Sequence, residues 1–187
     1  MSKTAFQEFI EQEKAADSRG KSIDWEERKQ YYLSQVEVLY KNVEDYLRDY
    51  IGSNDIVIET TRKVIDEEIL GKYEVPVLNI HIYGRHATLM PAGTNVFCTP
   101  GRVDMVGCGQ TIKFFLVDKY EYRKRLFFAV SLTKEQKEQV EEMAQEWIAG
   151  KRDYVWKIIT DPPDVTFIML NEDSFLDALQ AAFGTRT

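Results

Sequence analysis

YEVPVLNIHIYGRHATLMP, residues 73–91, is the stretch in which the sequence commits to a sheet. Leu78, Ile80 and Ile82 alternate with Asn79, His81 and Tyr83. A period of two places the apolar set on one face of a strand and the polar set on the other. Gly84-Arg85 reads as a two-residue hairpin, with Gly at the first central position as a type II′ turn wants. Tyr83 then faces His86, and His81 faces Thr88. Ile82 faces Ala87 and Ile80 faces Leu89, so the apolar faces of the two strands agree. In this register His81 and His86 lie diagonally on one polar face, roughly 7–8 Å apart.

The same signals extend on both sides. Residues 55–130 are rich in β-branched and aromatic side chains and are cut at Gly71, Gly84, Gly93, Pro100-Gly101 and Gly107-Cys108-Gly109. The spacing predicts an antiparallel meander of about six to eight strands, closed as a sheet or an open barrel. Strands that follow one another without helices between them argue against a parallel α/β sheet.

Helices flank the strands. Asp24 reads as an N-cap with Glu27 three residues on, and Gly52 as the stop. Trp25, Tyr32, Val36, Leu39, Val43, Tyr46 and Tyr50 form an apolar stripe on the helix between them. That 25–50 helix would be roughly 39 Å long. A shorter amphipathic helix is expected at about residues 3–16. After the strands, Thr133 and Gly150 bracket another helix with Val140, Met143, Ala144, Trp147 and Ile148 on its stripe. Asp161-Pro162-Pro163-Asp164 breaks the chain, VTFIML reads as a short strand, and NEDSFLDALQAAF as a final helix presenting Phe175, Leu176, Leu179 and Phe183. The fold class is α+β in a single domain, 1–187: helical over 1–54, β-rich over 55–130, and helix-strand-helix over 131–187.

Composition narrows the function. Hydrophobic residues make up 44% and charged residues 29% of 187 residues, enough to support a full core without staples. The amino-terminal stretch carries acidic residues throughout and no apolar run of signal length. Nothing approaches the ~20 apolar residues that span a bilayer. Cys98 and Cys108, without CxxC spacing, read as free thiols of a cytoplasmic protein rather than as a disulfide or a zinc site. Net charge is −7, with both ends acidic and the middle nearly neutral, which disfavours a broad nucleic-acid surface.

Chemistry-bearing residues are few. His81 and His86 are the only histidines. With Asp104, the carboxylate that stands alone among apolar residues in GRVDMVG, and Tyr83 beside them, they form a candidate polar site. With Asp104 supplying the third ligand to His81 and His86, that set would serve a metal-assisted hydrolase. Lys119, Arg123, Lys124 and Arg125, interleaved with tyrosines in KYEYRKR, would suit a nucleic-acid accessory protein or, as commonly, a solvated edge strand. Asp55, Glu59, Arg62 and Lys63 in DIVIETTRK match no nuclease spacing and read as surface pairing. Gly107-Cys108-Gly109 lacks the context of a phosphate loop. Five of the ten tyrosines fall in the 25–50 helix. Tyr31 and Tyr40, off the stripe, with the acidic Glu37 and Glu44, mark an interaction edge on it. No catalytic constellation emerges, and no metal or cofactor is assigned. The sequence supports a non-catalytic protein-binding or regulatory module, such as an inhibitor or immunity-type protein for a basic partner, with self-association open to it.

Overall fold

The computed structural model describes residues 25–67, 70–94, 99–119, 153–161 and 165–184. They fall in one compact unit. The helices expected at 3–16 and 133–150, the Asp24 cap and the rest of the single-domain reading lie outside the described residues.

Helix α1 (Trp25–Tyr46) opens the unit, and a short α2 (Arg48–Gly52) follows. Seven strands then form one antiparallel sheet: β1 (Val57–Glu67), β2 (Gly71–Ile82), β3 (Arg85–Gly93), β4 (Arg102–Val106), β5 (Ile112–Asp118), β6 (Tyr154–Ile159) and β7 (Phe167–Met169). Each pairs with the next in chain order, so the sheet is an open meander rather than a barrel. Helix α3 (Glu172–Phe183) ends the described chain. Among the described residues, five strands come from the 55–130 segment, fewer than the sequence predicts there. No described helix is long and apolar enough to cross a membrane.

The main core lies between one sheet face and the helices, and Phe115, Val117 and Ile159 form a second, smaller buried cluster. Leu78, Ile80, Ala87, Leu89, Val103, Met105, Phe114 and Leu116 project to that face and are buried. From α1 they meet Tyr32, Val36, Leu39, Tyr40 and Val43, and from α3 Phe175, Ala178 and Leu179. Apolar residues at i, i+4, i+7, i+8 and i+11 from Tyr32 make a stripe wide enough to cover several strands. Trp156 Nε1 donates to the Gln35 carbonyl at 2.9 Å and ties β6 to α1. Gly101 meets α1 so closely that a Cβ there would lie 2.1 Å from the Tyr32 ring. The Tyr32 hydroxyl donates to the Arg102 carbonyl at 2.6 Å beside it.

Three details differ from the sequence reading. The helix breaks at Leu47 (φ −99°, ψ 5°), so α1 stops at Tyr46 and Tyr50 leaves the stripe, 42% exposed. Tyr40, read as an interaction-edge residue, is a core residue at 6% exposure. It lies four residues after Val36 and three before Val43, on the same wide stripe, and its hydroxyl is 2.9 Å from the Leu89 carbonyl and 3.0 Å from that of Pro76. Strand β6 is the third difference, since the sequence reading places its one strand after residue 131 at VTFIML. Trp156, Lys157, Ile158 and Ile159 are buried in succession, so the stretch shows no alternation.

Candidate functional site

The β2–β3 hairpin sets out the histidines. Its turn is centred on Tyr83-Gly84, with Ile82 opposite Arg85. Both central residues have positive φ, 43° and 80°, as a type I′ turn requires. The sequence register, centred on Gly84-Arg85, is therefore displaced by one residue on each strand. The displacement keeps every side chain on its face, which is why matching apolar faces could not detect it. His81 now stands directly opposite His86, with ring centroids 6.4 Å apart.

Both histidines are exposed, on the face away from α1. Glu59 on β1 approaches His81, Oε2 to Nε2 at 3.9 Å. One pair further along, Thr88 Oγ1 donates to Asn79 Oδ1 at 3.0 Å, and Asn79 Nδ2 donates to Thr61 Oγ1 at 3.1 Å. Asp104 does not join them. It pairs with Met90, four residues along β3 from His86, which is roughly 13 Å of strand. Its Oδ2 accepts from Arg102 Nη2 at 2.8 Å. No three His, Cys, Asp or Glu side chains converge as a metal site among the described residues. The histidine face has the composition of a site without its geometry.

A different region has the geometry. A cavity of about 1110 Å³ opens where the β2–β3 turn, the α2–β1 connection and α3 meet. Asn171 caps α3: its side chain accepts from the Ser174 amide at 2.9 Å, and Ser174 Oγ accepts from the Asn171 amide at 3.0 Å. At the other end, carbonyls that a helix ordinarily leaves unpaired all find donors. Gly109 N donates to Ala182 O at 2.8 Å and Gln110 N to Ala181 O at 3.1 Å. Arg85 Nη1 donates to Gly184 O at 2.8 Å and to Phe183 O at 3.3 Å. A Cβ on Gly109 would lie 2.3 Å from Ala181 O, and one on Gly107 2.3 Å from Ala182 O, so both glycines are demanded by this approach. They explain Gly107-Cys108-Gly109 as a docking turn for a helix end; Cys108 between them is exposed.

Ile56, Leu179 and Phe183 supply buried apolar lining, Ile82 and Leu176 are partly buried beside them, and Tyr50 and Tyr83 stand exposed around it. Tyr83, at the tip of the hairpin, is 74% exposed. Its hydroxyl donates to Asp55, which also accepts from Ser53 Oγ. These bonds hold the Asp55 carboxyl below its usual range, Ser53 contributing most, and the same contact raises the Tyr83 phenol. Asp177 adds a second carboxylate. Arg85, the basic side chain of the lining, already faces the carbonyl end of α3, where the helix dipole favours a cation. The groove is thus apolar beneath and acidic and tyrosine-rich above.

The remaining residues singled out from the sequence fall elsewhere. Tyr31 is half-buried and packs edge-on against Tyr154, centroids 6.3 Å apart. Glu37 and Glu44 are exposed on α1. Lys119 follows β5 directly and lies 3.3 Å from Asp153 Oδ2. Arg123, Lys124 and Arg125 lie outside the described residues. By sequence alone Tyr83 groups with the histidines, Tyr50 with the core stripe and Arg85 with a turn. Asp177 carries no signal in sequence beyond its place in the last helix. No family model, curated protein or solved structure matches this chain.

Proposed function

We propose that this chain is a non-catalytic binding module that takes a basic segment of another protein in the groove beside α3. The observation that carries the reading is the pairing of an apolar floor with two exposed tyrosines and two carboxylates in one concavity of about 1110 Å³. Tyrosine is a frequent interface anchor because it offers a large apolar body at small entropic cost and a polar tip for orientation. Asp55 stays ionised under its hydrogen bonds and would attract a lysine or arginine. The excess acidity of the chain acts in the same direction by steering a basic partner toward it. An inhibitory or immunity-type role toward a basic protein is one form such a module would take.

Peptide display against the purified protein tests this. Peptides with a basic residue next to an aliphatic or aromatic one are expected to enrich on the wild type and to be lost on Leu176→Arg and on Tyr83→Ala. Both substitutions change partly exposed side chains, so the melting temperature serves as the control for folding. Absence of enrichment, or enrichment equal on wild type and Leu176→Arg, would overturn the reading.

A further inference from the structure

Among the described residues, strand β1 is one edge of the sheet and the most exposed strand in it. Its eleven residues pair with β2 without a break in register from Val57↔His81 to Glu67↔Gly71. Eight of the eleven side chains are exposed, among them Val57 at 52% and Val64 at 55%. A long, regular edge with apolar side chains offers unpaired backbone groups to any other strand. The opposite edge, β7, has only three residues. Natural sheets blunt an edge with a bulge, a proline or charges, and β1 has only charges.

Those charges are arranged to fit a second copy. Two like strands pair antiparallel about an axis perpendicular to the sheet. The helix-covered faces then stay on one side, and one residue must stand opposite itself. With Arg62 or Lys63 at that centre, like charges meet across the axis. With Thr60, Ile58 meets Arg62 and Val57 meets Lys63. With Thr61 at the centre, Glu59 meets Lys63 twice, Ile58 meets Val64 twice, and Val57 meets Ile65 twice. Thr60 meets Arg62 without conflict. Every charged residue from Val57 to Ile65 then has an opposite or neutral partner, and every exposed aliphatic one an apolar partner. Opposed pairs of this kind contribute roughly 0.2–1 kcal/mol each. Neither charge is strongly committed within one copy. Glu59 is 65% exposed and 3.9 Å from His81, and among the described residues Lys63 Nζ reaches the Met90 sulfur at 3.0 Å.

We propose that β1 is a self-complementary edge through which two copies of this chain join into one continuous antiparallel sheet, with Thr61 facing Thr61 of the second copy. Charges that deter a foreign strand thus select this one. Sedimentation velocity over a wide concentration series is expected to show a monomer–dimer equilibrium. Glu59→Lys and Lys63→Glu should each weaken the dimer by at least about tenfold, since two opposed pairs become two like-charge pairs. The double swap Glu59→Lys with Lys63→Glu should recover the wild-type constant. In a Cys98→Ser, Cys108→Ser background, Thr61→Cys should oxidise to a linked dimer. Residues facing across a two-fold have Cα atoms about 4.5–5.5 Å apart, within disulfide reach. Val57→Cys, opposite Ile65 rather than itself, should not. A wild-type monomer at the highest soluble concentration, single swaps without effect, a double swap that fails to restore the dimer, or equal cross-linking of the two cysteine variants would each overturn the proposal.

Discussion

The two faces of the β2–β3 hairpin are built from neighbouring residues of the same strands, yet they do opposite things. On one face Leu78, Ile80, Ala87 and Leu89 are fully buried beneath the helices. On the other, Asn79, His81, His86 and Thr88 meet each other in side-by-side pairs, and the two histidines are exposed. The first face is held by loss of water from apolar surface, the second by short polar contacts that water would replace at little cost. The covered face fixes the fold. The open face has no such duty, which makes its histidine pair look functional in sequence. Exposure without a converging third group is nevertheless what a solvated polar strip shows.

The covered face gives way first. Leu39 is fully buried in the cluster that contains Leu78, Ile80 and Leu89. Leu39→Ala should cost roughly 2–5 kcal/mol, as truncation of a packed leucine does. Urea melts with an unchanged m-value would report it. A Leu39→Ala protein that melts like wild type would mean that α1 does not cover this face.

A smaller and more diagnostic loss is expected at Tyr40. Its hydroxyl bonds to backbone carbonyls where the β2–β3 ladder ends at Leu78↔Leu89. Tyr40→Phe keeps the ring and removes the donor, so near neutral pH it should cost about 1 kcal/mol. The pH dependence has a definite sign. Burial raises the Tyr40 phenol well above its ordinary value, and burial raises that of Tyr32 as well. The folded chain therefore keeps these protons where an unfolded tyrosine, with a pKa of about 10, releases them. Their contribution is complete below about pH 10 and declines as pH rises above it toward the folded values. Wild type should lose stability steeply in alkali, and Tyr40→Phe less steeply, so the gap between the two should narrow at high pH. A gap that widens in alkali would mean that Tyr40 is not a buried phenol.

What the sequence made legible follows from the same contrast. Alternation over Leu78–Ile82 exposes the two-faced character of the hairpin, because a half-covered strand must alternate. It cannot reveal the register, because moving the turn from Gly84-Arg85 to Tyr83-Gly84 changes every partner and no face. Only the positive φ of Tyr83, uncommon for a non-glycine residue, decides it. The helix stripe was legible at Tyr32, Val36, Leu39 and Val43. Its true width, which takes in Tyr40, depends on how many strands it covers, a tertiary fact. Strand β6 is hidden because both of its faces are buried. The groove was not legible, because its walls come from four separated segments near Asp55, Tyr83, Gly109 and Gln180. No local pattern ties them together before α3 docks on the glycines that receive it.

The smallest effect is expected on the open face, and it is the one that sharpens the contrast most. Among the described residues His81 has one charged neighbour, Glu59 at 3.9 Å with both side chains substantially exposed, a geometry that contributes little to stability. His86 faces His81 and, among the described residues, no third ligand. His81→Ala and His86→Ala should each change stability by no more than about 0.5 kcal/mol, as surface substitutions do. The double variant should depart from the sum of the two by no more than a few tenths of a kcal/mol, the size of a coupling between exposed side chains on facing strands. Chemical denaturation with and without added zinc measures both statements. A loss of several kcal/mol in the single variants would make the strip structural. Zinc-dependent stabilisation of wild type that vanishes in both variants would mean that a ligand from outside the described residues completes a site, and that the polar face is as purposeful as the covered one.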